Sequence, residues 1–384
     1  MTSVSQLVAL DPDGATTRSL RIRDHLLTTV STSAASDELV TETFWPPGML
    51  DVFEAEATPG RAPDETVVDL VRDPAEIDAL IRQVSADAVA GEYEHTRHYW
   101  LPRYDGDGYT LFVLRDVNSG EVSALIRTER RMTLVRPPTG VADRWLTRIV
   151  RDVATRIAKA EGTLVMHSSA FVLDGGAYLV IGDSGAGKST TAIALARLLP
   201  SSGWMGNDRM HLDLRDGHYT ATACPLPLAI NKGSLDVMGV TGFENWPVRA
   251  GLPLPGSDWD QLHGEDKLKL SSQEVGRYLG VSVVPNAPLA GVILPRIDLD
   301  AEFFVEPATP EHTAEVLRRN CFSLDDNLFG EDWLAVRVPR RAAPPPSLDA
   351  FLEHLAQLPV LRCSLGSAAD VTKLADELAS TVRA

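Results

Sequence analysis

A chain of 384 residues with 44% hydrophobic and 23% charged residues has the length for two or three domains and the composition for sizeable cores. Its net charge of −17 opposes nucleic-acid binding, no Lys/Arg run is long enough to override it, and no stretch approaches the roughly 18 apolar residues of a membrane helix. Neither nucleic acid nor a membrane is therefore expected as a partner, and self-association as a homo-oligomer is compatible with the composition. The first residues, MTSVSQLVALDPDG, lack the basic start and apolar run of a secretory signal, which predicts a soluble cytoplasmic protein. Cys224, Cys321 and Cys363 lie far apart without CxxC spacing and read as small core hydrophobes.

Residues 1–140 carry alternating segments such as TRSLRIRDHLL and HYWLPRY, then YTLFVLRD-VNSG-EVSALIRT, two runs whose VNSG link suits a hairpin. Between them PAEIDALIRQV repeats its apolar residues at helical spacing. The expectation is a β-rich α+β domain without a chemistry motif, suited to acceptor recognition. The aromatic run YEHTRHYW at 93–100 reads either as strand packing or as a grip on a peptide. From 141 the pattern is strongly helix-periodic, with Leu146, Ile149, Val153 and Ile157 on one stripe, and is expected to open a second domain over 141–341. AAPPP at 342–346 cannot continue a helix and is expected to begin a small helical tail over 342–384, packed on the second domain, with helices near 348–357 and 368–382 around a PVLRCSL strand.

The chemistry is concentrated in AYLVIGDSGAGKSTTAIALARLL, where an apolar run leads through a glycine-rich loop into a helical pattern, the context a phosphate-binding P-loop requires. Gly182, Gly185 and Gly187 let the backbone N–H groups of Gly182, Asp183, Ser184, Gly185, Ala186, Gly187, Lys188, Ser189 and Thr190 turn toward an anion, and the following helix adds its positive end. Lys188 is placed to reach the β and γ phosphates of ATP, and the Ser189 hydroxyl to meet Mg²⁺. Just before the loop, MHSSAFVLDGGAYLVIG reads as two strands joined by Asp174-Gly175-Gly176, which gives the P-loop strand an antiparallel neighbour. With Leu173 or Asp174 opposite Ala177, His167 falls opposite Asp183 or Ser184, so it either closes a strand or serves the site. After the helix, GWMGNDRMHLDL reads as a β-like run with Asn207 and Asp208 at its start. Asp208 is the first plausible carboxylate to hold Mg²⁺ or take a proton from an acceptor.

These pieces resemble the catalytic domain of the bacterial HPr kinase/phosphorylase family, specifically over about 45 residues from MHSSAFV through GDSGAGKST to GNDRM. The resemblance implies an HPr-kinase-like P-loop domain with a mixed sheet, ATP and Mg²⁺ as cofactors, and Asp208, His167 and Lys188 as catalytic residues. Two departures stand out. Asn207 occupies the position of the family's proton-transferring aspartate, and the family's later glycine- and arginine-rich signature for phosphorolysis is missing. The chain is also similar to the HPr-kinase-like enzymes that phosphorylate a serine of a precursor peptide in lasso-peptide biosynthesis, which implies a serine of a peptide or small protein as acceptor.

Outside the loop, HGEDKLKLSSQEV reads as a solvated charged turn in which Lys267 is a candidate phosphate or substrate contact, as is Asn207. Arg318 and Arg319 in VLRRNCF read as a solvated helix face that could supply a cation. Two other functions stay open from the residues alone: a kinase for an amino acid or metabolite, and a nucleotide-dependent switch that hydrolyses slowly.

Overall fold

The alternation of the first segments produces a nine-stranded mixed sheet in the computed structural model, which describes residues 14–56, 61–96, 99–116, 119–140, 142–243, 246, 267–298, 300–324, 332–338 and 347–383. Contacts among the described residues divide the chain into two units: residues 1–47, 51–160 and 326–340 in the first, and 48–50, 161–325 and 341–384 in the second.

The first unit contains β1 (Thr16–Ile22), β2 (His25–Ser31), α1 (Ala34–Thr43), β3 (Val52–Glu54), β4 (Glu65–Val71), α2 (Pro74–Ser85), β5 (Val89–Thr96), β6 (Tyr99–Gly106), β7 (Tyr109–Arg115), β8 (Val122–Arg127), β9 (Arg131–Arg136) and α3 (Arg144–Ala160). Its sheet runs β3-β1-β2-β4-β9-β8-β7-β6-β5. The pairs β2–β4 and β4–β9 are parallel and the others antiparallel, so the unit is a strand-rich α+β arrangement with a mixed sheet. The helix read from PAEIDALIRQV begins at Asp73 with a capping box closed by Glu76 and Pro74 in its first turn, and buries Ile77, Leu80 and Val84 against the sheet. Within this unit Arg136 and Asp69 are both fully buried and paired at 2.7 Å, a contact whose single truncation costs about 3–5 kcal/mol.

The helix expected to open the second domain is α3, and its place differs from that expectation. Its buried stripe of Leu146, Ile149, Val150, Val153 and Ile157 faces α1 and β4 of the first unit, so the boundary falls after Ala160 instead of at 140. The stripe was legible, but periodicity does not say which sheet a helix covers.

The second unit contains β10 (Leu164–Met166), β11 (Ser168–Leu173), β12 (Gly176–Ile181), α4 (Lys188–Leu198), β13 (Ser202–Gly206), β14 (Met210–Arg215), β15 (His218–Ala223), β16 (Leu228–Ile230), α5 (Lys232–Val237), β17 (Leu268–Leu270), α6 (Ser272–Leu279), β18 (Asn286–Ile297), β19 (Phe304–Pro307), α7 (Pro310–Arg319), α8 (Leu348–Leu355), β20 (Val360–Leu365) and α9 (Ala368–Arg383). The sheet order β10-β14-β15-β18-β12-β11-β13 sets the P-loop strand β12 between antiparallel β11 and parallel β18. One face of the sheet buries Val180, Ile293, Cys363 and Leu365 with α4 and α9; the other buries Leu179, Ile181 and Leu294 with α7 and α8. The tail is therefore no appendage: β20 pairs in parallel with β18, and its flanking helices close opposite faces of the core. The AAPPP link lies outside the described residues.

No helix among the described residues is long and apolar enough to cross a membrane. Cys224, Cys321 and Cys363 are buried and in no disulfide, and burial pushes the Cys363 thiol up to about 12, which leaves it protonated and inert at neutral pH.

Candidate functional site: a phosphate-binding loop and its two flanks

Between Ile181 and Lys188 the chain turns through backbone that only glycine adopts without strain. Gly185 and Gly187 have φ of 82° and 88°. A Cβ on Gly182 would lie 2.9 Å from Ala186 Cβ, so close packing also favours glycine there, whereas at Gly187 the positive φ is the constraint, since the nearby Ile297 side chain is exposed and can move. The Ala186 N–H donates to the Asp183 carbonyl at 3.1 Å, and α4 then begins at Lys188 with its first N–H groups and positive end at the loop. This arrangement is an anion cradle made of main chain.

The side chains of the loop are organised around it. Lys188 Nζ donates to the carbonyls of Gly182 at 2.7 Å and Asp183 at 3.1 Å, which curls the lysine over the cradle. Burial holds its ammonium below the usual pKa; Asp208 and Asp183 pull it up, and Lys267 pushes it down. Lys267 thus lies within electrostatic reach of Lys188, where a second cation would act on bound phosphates. Its neighbours Glu265 and Asp266 lie outside the described residues. The Ser189 hydroxyl is 3.2 Å from that of Ser169 on β11, and Thr190 Oγ1 is 2.6 Å from Ser234 Oγ. Ser169 is fully buried and was not singled out in the sequence, where MHSSAF shows only an unremarkable pair of serines.

The flank toward β11 carries the acid–base groups. The hairpin turn has two residues, Asp174 and Gly175, with φ of 48° and 83°, so Leu173 faces Gly176 and Ser168 faces Ile181. The register expected for His167 was one or two residues off: it falls level with Gly182, in the break between β10 and β11. Its N–H donates to the Asn320 carbonyl at 2.7 Å, and its ring stacks on Phe322 with centroids 5.1 Å apart. That stacking directs Nε2 toward Asp208, 3.6 Å from Oδ1. GNDRM is not one strand; β13 ends at Gly206 and β14 starts at Met210, with Asp208 left-handed at the bend (φ 67°), a conformation short polar side chains tolerate. The bend exposes about half of the Asp208 side chain and buries Asn207, whose Oδ1 has no hydrogen-bond partner. A carboxylate at 207 would meet a larger desolvation cost than the neutral amide does. Arg209 lies 3.8 Å from Asp208 Oδ2 and 5.7 Å from the centroid of Phe322.

Burial holds the His167 imidazole below its ordinary 6.5; Lys188 and Arg209 push it the same way, while Asp208 and Asp183 oppose. His167 is therefore neutral at pH 7. On acidification the unfolded chain binds this proton before the folded one does, so folding stability falls below about pH 6.5 until the folded-state pKa is passed. His167→Gln, which does not titrate, is expected to lose less stability than the parent between pH 7 and 5. Equal acid losses in urea unfolding of the two proteins would contradict the assignment.

The flank toward β18 also bears charge. Arg319 on α7, expected to be solvated, lies 3.6 Å from Asp183 of the loop, an exposed pair of modest strength. Among the described residues no group of three or more His, Cys, Asp or Glu side chains is arranged to hold a metal ion.

No protein-family model matches the chain, and no curated protein matches it. Among solved structures it is similar to the HPr(Ser) kinase/phosphatase from Coxiella burnetii, with 14% identity, 38% of this chain and 72% of that one covered, and a TM-score of 0.21.

Proposed function

We propose that the chain is an ATP-dependent kinase of the HPr-kinase-like type that transfers the γ-phosphoryl group to a hydroxyl, on a serine of a peptide or small protein. The observation that carries this reading is the convergence of Lys188, Ser189 and the backbone cradle with the His167–Asp208 pair at the mouth of the same loop. A phosphate-binding loop alone describes many switches and motors. A carboxylate and a neutral imidazole beside it supply what transfer to an alcohol needs, namely a metal-positioning group and a proton acceptor. The sequence resemblance over residues 166–210 supports the same class, and the absence of the phosphorolysis signature favours a forward-only enzyme.

The oxygen donors present suit Mg²⁺: the Ser189 hydroxyl and the Asp208 carboxylate would hold it, with bound phosphates completing its shell, as is usual for an ion that takes one or two protein ligands. When bound, the ion would offset the charge on the transferring group. Buried Ser169, beside Ser189, orients that hydroxyl. Lys188 binds and orients the phosphates. Asn207, being an amide, cannot take the acceptor's proton, which leaves Asp208 or His167 to do so. In this reading the first unit selects the acceptor.

Turnover of Mg²⁺-ATP is expected to rise at least tenfold when a serine-containing peptide acceptor is added, with phosphate appearing on that serine. Turnover that no hydroxyl compound stimulates would mark a switch, and stimulation by free amino acids or metabolites alone would mark a small-molecule kinase.

A further inference from the structure

On the side of the loop away from His167 and Asp208, the carboxyl ends of β18 and β20 and the facing helix α7 enclose a cleft of about 550 Å³ whose remaining wall is the loop itself, Gly182 to Ala186. The sheet register fixes its floor. Arg296 of β18 and Phe304 of β19 both pair with Ser364 of β20, and direct cross-strand partners project to the same face, so these three side chains stand together beside the loop. Ser364 is 2% exposed and its hydroxyl has no hydrogen-bond partner, an arrangement that costs about as much as a lost hydrogen bond unless a ligand supplies one. Phe304 is 40% exposed. The Arg362 guanidinium lies 5.4 Å from its centroid, and that charge is paired with Glu306.

We propose that this cleft is the nucleoside subsite, binding the base and ribose of the nucleotide whose phosphates lie in the loop. The inference rests on the reading of the loop as an ATP site. A triphosphate lying along the loop has two ends. If the γ end meets Asp208 and His167 on the β11 flank, the nucleoside end leaves on the β18 flank, where the cleft lies. Its chemistry fits a planar base with polar edges: an exposed aromatic face for stacking, a buried hydroxyl that can donate or accept, and a volume within the range of small-ligand pockets.

The test is equilibrium binding of Mg²⁺-ATP and of inorganic tripolyphosphate to the full chain as parent, Phe304→Ala and Ser364→Ala, with acceptor KM measured beside it. Both substitutions only remove side-chain atoms, one at an exposed site and one nearly isosteric, and circular dichroism reports their folding. Phe304→Ala is expected to weaken ATP about tenfold and Ser364→Ala several-fold, in keeping with the loss of one stacking contact and one hydrogen bond, while tripolyphosphate affinity stays at the parent value. Unchanged ATP affinity in both variants would overturn the inference and leave the kinase reading standing, as would equal losses for ATP and tripolyphosphate. A rise in acceptor KM at constant ATP affinity would make the cleft an acceptor site. A parent chain that binds neither ligand would overturn the kinase reading itself, and this inference with it.

Discussion

Lys188→Ala is expected to lower phosphoryl transfer by about 10²-fold or more while leaving the fold intact. The lysine is the loop's cation, and its Nζ already sits on the Gly182 and Asp183 carbonyls at the edge of the cradle. Removing one preorganised charge from a transferring phosphoryl group costs about 3–4 kcal/mol, by analogy with other transition-state donors. The core does not depend on it, since the buried residues of α4 are Thr191 through Ala196 and Lys188 itself is only partly covered. Thermal unfolding should therefore move little while turnover collapses. A folded variant with parent activity would remove the loop from the mechanism.

Asp208→Asn is expected to cost more turnover than His167→Gln. Both side chains stand at the loop mouth, 3.6 Å apart, but only the carboxylate offers the oxygen donor that Mg²⁺ prefers as well as a place for a proton. Phosphoryl transfer through a loose transition state asks little of a base, so loss of the charge at 208 should dominate, by about 10²-fold, while loss of His167 should cost about tenfold or less. His167→Gln also keeps a polar side chain over Phe322, where the ring now stacks. Burial holds the imidazole below its ordinary 6.5, so any loss of turnover from protonating this group should have its midpoint below that value. Measured across pH 6 to 9, a near-parent Asp208→Asn beside an inactive His167→Gln would reverse the two roles.

The loop was legible because its requirements are local: glycines with positive φ, a strand before and a helix after, all within one continuous segment. The hairpin before it was legible in kind and slightly wrong in register, for an identifiable reason. DGG offers three turn residues, but only Asp174 and Gly175 make the turn. Gly176 begins β12, where a Cβ would stand 2.5 Å from that of Ala290 on β18, so the third glycine answers to a neighbouring strand more than a hundred residues away. The same distance hid the rest of the site. Phe322, which orients His167, follows the loop by well over a hundred residues and carries no motif, and Arg319, noted only as a cation on a solvated helix face, gave no sign that its partner is Asp183. The PVLRCSL strand was read as part of a small tail packed on the second domain, and its place inside the sheet, which brings Ser364 beside the loop, was not legible. Pairing between distant strands leaves only an alternation in the sequence, and alternation does not name the partner.

Whether residues 182–190 hold the phosphates of a nucleotide is decided by calorimetric titration of the full chain with Mg²⁺-ATP. The parent is expected to show saturable 1:1 binding in the micromolar to millimolar range, and Lys188→Ala at least tenfold weaker binding. A folded parent chain that shows no saturable binding, or a Lys188→Ala variant that binds as tightly as the parent, would contradict it.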